Sequence, residues 1–125
     1  MYNEIILNLF NNPTNAGKIV KPDGVADAFN ADKTQHVEFF LRIESGIITD
    51  CKFRAQANPY IVAVCDTIAD MACGKMVSML FIDASDVKKA LKVTESEDIT
   101  FCMDCIKLAA ADYFAKQEKK NKKGE

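Results

Sequence analysis

The chain has 125 residues, 49% of them hydrophobic and 27% charged, with 16 Lys and Arg against 18 Asp and Glu. That length suits one compact domain that buries about two-thirds of the surface its unfolded chain exposes, and the composition excludes both a disordered chain and a membrane bundle. A net charge of −2 argues against nucleic acid as the main partner. No apolar run approaches the roughly 20 residues a transmembrane helix needs. Met1-Tyr2-Asn3-Glu4 also lacks the positive charge that opens a signal peptide, so the expectation is a soluble, cytoplasmic protein with no membrane association.

Tyr2 to Asn11 places Ile5, Ile6, Leu9 and Phe10 at helical spacing, and Asn11-Asn12-Pro13 ends that helix. Lys21-Pro22-Asp23-Gly24 is a turn signature leading into a short first strand, Val25 to Asn30. From Gln35 to Ile43 the period is two, with Val37, Phe39, Leu41 and Ile43 on one face. Glu44-Ser45-Gly46 is a tight connection, and Ile47, Thr49, Cys51 and Phe53 alternate again up to Ala55, so the pair reads as an antiparallel hairpin.

Helical spacing returns at Ile61, Val64, Cys65, Ile68, Met71 and Ala72, with Asn58 as N-cap, Pro59 in the first turn and Gly74 past the end. Met76 to Ile82 fits a short helix or a buried connector, with Met71, Met76 and Met79 as core filler. A short helix capped by Ser85 runs to Leu91, and a polar link, Thr94 to Asp98, leads to a last helix from about Cys102 to Lys119. The expected fold is α+β: a three-stranded antiparallel sheet covered by helices, one domain over 1–118, with a basic flexible tail over 119–125. Val37, Phe39, Leu41, Phe53, Ile61, Ile68 and Leu108 are the expected core.

The odd count of five cysteines, at 51, 65, 73, 102 and 105, in a chain expected to be cytoplasmic argues against a disulfide framework. Cys51, Cys65 and Cys73 read as packed thiols, and His36 as a solvated residue on the mixed strand face. Cys102-x-x-Cys105 is a metal and redox spacing, but it supplies only half of a zinc-type site. A small thiol enzyme built on that pair is one functional reading.

Four stretches together resemble the IscU/NifU-type iron–sulfur cluster assembly scaffolds: Phe10-Asn-Asn-Pro13-Thr-Asn15-Ala-Gly17, the loop Asn30 to Gln35, the run Gly46 to Asn58 with Gly74-Lys75 after it, and Ile99-Thr-Phe-Cys102. The resemblance implies a scaffold rather than an enzyme, iron or a [2Fe–2S] cluster as cargo with zinc as a further option, and a cysteine desulfurase and other cluster-assembly proteins as partners. The chain itself is then a monomer or weak homodimer. Matched residue by residue, Lys33 stands at the first ligand cysteine, Gln35 at the aspartate that makes the cluster labile, and Asn58 at the second cysteine. Cys102 retains its identity, with Cys105 as an alternative because Cys105-Ile-Lys-Leu108-Ala109 also resembles the family pattern.

Lysine is an ammonium at neutral pH and an amide is a poor ligand for ferric iron, so Lys33 and Asn58 do not replace thiolates in kind. A substitute set would be Cys102, Cys105 and Asp32. Lys33, Asn58 and Cys102 are expected at one end of the sheet, with Cys102 near the start of the last helix, where unpaired N–H groups favour a thiolate. A metal-free adaptor that docks the same partners is the competing function, and thiol-based sulfur acceptance is the third.

Overall fold

The computed structural model describes residues 2–123. In chain order these form α1 (Glu4–Asn11), β1 (Gly24–Phe29), β2 (His36–Glu44), β3 (Ile47–Gln56), α2 (Pro59–Ala72), a 3-10 turn (Val77–Met79), α3 (Ala84–Leu91) and α4 (Glu97–Lys123). The expected α+β class holds: the sheet order is β1-β2-β3 and both pairings are antiparallel. Ser45 and Gly46 take positive φ values of 51° and 78°, the conformation a two-residue hairpin turn uses to match the twist of its strands.

β2 turns Val37, Phe39, Leu41 and Ile43 inward as its alternation predicts. On β3 the alternation is interrupted. Ile43 pairs with Ile48 and Arg42 with Asp50, so Thr49 is an extra residue and the register shifts there. The bulge lets both Ile48 and Cys51 face the core, while Ile47 and Thr49, expected inside, are exposed.

α2 is buried on nearly every side because it packs against α1, β3, α3 and α4. Its N-cap is Asn58, whose side-chain oxygen accepts the Ile61 N–H at 2.9 Å, with Pro59 at the first position as expected. α4 lies against β1 and β2. Gly24, a turn residue in the sequence pattern, lies close against α4: a Cβ there would clash with the Ala109 carbonyl oxygen. The next residue fastens the contact, since the Val25 N–H donates to Asp112 Oδ2 at 3.0 Å. On the sheet's other face, the Arg42 guanidinium donates to the carbonyls of Val20 (2.8 Å) and Lys21 (3.1 Å) and holds the segment between α1 and β1.

Other expectations need correcting. Leu108 is 53% exposed, because α4 turns Cys102, Cys105, Ile106 and Ala109 inward instead. Met76 and Met79 are exposed, and Val77 and Ile82 fill the connector's share of the core. The cap of α3 is Asp83, which accepts the Ser85 N–H at 2.8 Å, rather than Ser85. α4 starts at Glu97, five residues before Cys102, because the Glu95 carboxylate accepts the N–H groups of Glu97 and Asp98 and caps the helix early. The tail expected from 119 continues this helix to Lys123, and Gly124 and Glu125 lie outside the described residues.

Candidate functional site

Three segments meet at one end of the sheet. The first is the β1–β2 connection. Asn30 and Gln35 close it, with the Asn30 N–H donating to the Gln35 carbonyl at 3.0 Å and the Gln35 N–H to Asn30 Oδ1 at 2.9 Å. Inside it Asp32 Oδ1 accepts from the Thr34 hydroxyl at 2.6 Å and the Thr34 N–H at 3.1 Å, the side-chain turn that aspartate favours. The Thr34 hydroxyl and N–H hold the Asp32 carboxyl below its ordinary value of 3.8. Lys33, at the tip, takes a left-handed φ of 61° and is exposed.

The second segment is the N-terminus of α2. The Asn58 N–H donates to Gln35 Oε1 at 2.6 Å, so two of the residues matched to the ligand loops touch each other. The third is the start of α4. Phe101, Glu97 and Asp98 line a cavity of about 260 Å³ together with Phe29, Asn30, Ala31 and Asp32. Tyr60, in the first turn of α2, donates its hydroxyl to the Glu95 carbonyl at 2.9 Å and ties the second segment to the third. Burial, and then the neighbouring Glu95, push that phenol above its usual range.

Cys102 does not open onto this end. It lies in the second turn of α4, where the helix dipole's effect has faded, and its sulfur is fully buried 3.7 Å from Cys65 Sγ. Cys105 is buried as well, its thiol directed at the carbonyls of Ala26 (3.6 Å) and Val37 (3.8 Å). Burial, and then the nearby Cys102, push the Cys105 thiol up to about 12.

Cys102, Cys105 and Asp32 are therefore not gathered as a ligand set, and among the described residues no three His, Cys, Asp or Glu side chains could hold a metal ion. The physical reason is the early start of α4, which turns both thiols into the core while Asp32 stays in an exposed loop. Cys51 and Cys65 are packed as expected, and Cys73 is exposed. His36, expected as a solvated residue, has partners: its ring stacks on Phe29 at 4.3 Å and bonds Asp27 at 2.8 Å.

The amino-terminal motif has a separate site. Asn15 is buried between α2 and β3. Its N–H donates to Asp66 Oδ1 at 2.7 Å, and its amide donates to the Asp66 carbonyl at 3.1 Å and to Asp70 Oδ1 at 2.8 Å. The Phe53 N–H donates to the Asn15 carbonyl, and the Gly17 N–H to the Phe53 carbonyl, which extends the edge of the sheet by one short bridge. Asp66 carried no signal in the sequence beyond a charged residue on an otherwise apolar helix face.

The domain is thus of the α+β class, a small antiparallel sheet with a loop, a helix N-cap and a helix start converging at one end. The NifU-like N terminal domain matches residues 1–120, and the chain belongs to that family. Iron-sulfur cluster assembly scaffold protein IscU 1 of Archaeoglobus fulgidus is 28% identical over 126 residues, covering 98% of this chain and 82% of that protein. Nitrogen fixation protein NifU of Cereibacter sphaeroides is 30% identical over 91 residues, 73% of this chain and 33% of that protein. The crystal structure of a nitrogen-fixing NifU-like protein (N-terminal) from Brucella abortus superposes with a TM-score of 0.71 at 16% identity, covering 91% of this chain and 94% of that one, which shows the shared fold. The resemblance drawn from the four motifs is borne out. Among the described residues no helix is long and apolar enough to cross a membrane.

Proposed function

We propose that this protein serves iron–sulfur cluster assembly as a divergent scaffold whose own cluster site is impaired. Membership of the family supports the scaffold role, and the similarity to the Archaeoglobus fulgidus scaffold protein points the same way. The observation that carries the divergence is the Asn58–Gln35 contact. At the end of the sheet where the ligand loops are matched, two amide side chains are engaged in protein hydrogen bonds and offer no thiolate. Iron and sulfide are cargo here rather than resident groups. The side chains at this end do not fit a [2Fe–2S] cluster, which takes four ligands that are mostly thiolates. A cysteine desulfurase and apoprotein acceptors are the partners this role requires, in the cytoplasm, with the chain acting by docking and handover and not by turnover chemistry of its own.

Anaerobic incubation with iron, cysteine and a desulfurase, followed by iron and sulfide analysis per chain, tests the reading. The parent chain is expected to retain well under one cluster per chain while co-eluting with the desulfurase. The double variant Lys33→Cys, Asn58→Cys is expected to retain several-fold more iron and sulfide. Failure of the parent to bind the desulfurase would remove the scaffold role. A full, stable cluster on the parent would remove the impairment.

A further inference from the structure

Two thiols outside the site proposed for cargo face each other in the core. Cys65 stands in the second turn of α2 and Cys102 in the second turn of α4, and their sulfurs are 3.7 Å apart with neither residue exposed. The other thiols are engaged elsewhere or apart: Cys105 points at two backbone carbonyls, Cys51 is buried on β3, and Cys73 is exposed. A disulfide needs a sulfur–sulfur distance of roughly 2.05 Å, so small side-chain rotations and a slight approach of two already packed helices would close the pair.

We propose that Cys65 and Cys102 form an oxidative modification site, at which a peroxide converts the dithiol to a disulfide that ties α2 to α4. In the first step one sulfur, losing its proton, attacks a peroxide oxygen. The O–O bond breaks, water leaves, and a sulfenic acid remains. In the second step the other sulfur attacks the sulfenic sulfur, the S–S bond forms and a second water leaves. Two thiols and one hydrogen peroxide thus give one disulfide and two waters, with the sulfurs giving up two electrons and the peroxide taking them.

Access comes from the start of α4. Phe101, next to Cys102, lines the 260 Å³ cavity beside the β1–β2 connection, and the turn above it is held by the Glu95 cap and the Tyr60 hydroxyl. Opening of that first turn admits a molecule as small as peroxide, so oxidation reports local opening, and the product ties the turn that follows it to α2. The proposal stands on this thiol pair alone and does not depend on the scaffold role.

Millimolar hydrogen peroxide applied to the full reduced chain, with thiols then counted under denaturing conditions, provides the test. The expected result is a loss of two of the five thiols per chain, a monomeric species without reductant, and a cross-link between the tryptic peptides 55–75 and 93–107 that fragmentation localises to Cys65 and Cys102. Melting temperature should rise by several degrees and return on reduction. A Cys73→Ser chain, changed only at the exposed thiol, is expected to give the same cross-link, whereas Cys65→Ala is expected to lose it. Intermolecular linkage through Cys73 with Cys65 and Cys102 unlinked, sulfinic acid on separate peptides, or five thiols surviving treatment would each overturn the site.

Discussion

The Asn15 anchor and the end of the sheet around Asn58 are both built from asparagines meeting helix α2, yet they are built for different ends. Asn15 uses its N–H, its carbonyl and its side-chain NH2 on Asp66, Asp70 and Phe53, and of these partners Asp66 and Phe53 are buried. Asn58 caps one N–H of its own helix and meets Gln35 across a half-exposed junction with an exposed loop above it. In the anchor, loss of a partner strands buried polar groups. At the sheet end, loss of a partner hands polar groups to water. Residues at the sheet end can therefore change while the fold holds, because the contacts that hold the amino-terminal segment do not involve them.

That difference should be visible in stability. Asn15→Ala deletes two donors, one to the buried Asp66 carbonyl and one to the exposed Asp70 carboxylate, at a cost of about 2 kcal/mol, since one bond is to a buried acceptor and the other to a charged one. Chemical denaturation of the variant measures it, and a loss below about 1 kcal/mol would place the anchor on the same footing as an ordinary surface bond. Asn58→Ala removes an N-cap and is expected to cost about 1 kcal/mol, the usual value for such a cap. If Asn58→Ala proved the more damaging of the two, the sheet end would be the structural centre and the comparison would reverse.

The same contrast governs what could be read in advance. The hairpin, the first and last residues of α2 and the burial of Val37, Phe39 and Phe53 follow from local period and turn chemistry, which the chain carries within a few residues. The Thr49 bulge does not, because an extra residue leaves the hydrophobic count unchanged and only the pairing partner shows which side chain turns out. Glu95 as the cap of α4 was equally hidden, and that one capping carboxylate moves Cys102 from a helix start to a buried second turn. At the candidate site, the sequence placed Gln35 and Asn58 at matched positions, but their hydrogen bond spans 23 residues of chain and depends on how α2 docks. The Cys65–Cys102 contact spans 37 and could be seen only once both helices were packed.

The smallest expected effect is a titration that isolates the loop from the anchor. Asp32 has its folded value below 3.8 because the Thr34 hydroxyl and N–H bond the carboxylate form. A lowered carboxyl contributes its stabilisation in full above the unfolded value and loses it as pH falls through the lower folded one. The Thr34 amide resonance, followed by NMR from pH 6 downwards, should therefore shift with a midpoint below 3.8, while the Gly17 amide of the anchor, bonded to the Phe53 carbonyl, does not follow the same curve. Because Asp32 is exposed, the global melting temperature should barely register the step. A midpoint at or above 3.8 would mean that Thr34 does not hold the carboxylate in solution, and the loop that carries Lys33 would then lack the internal turn that sets its left-handed tip.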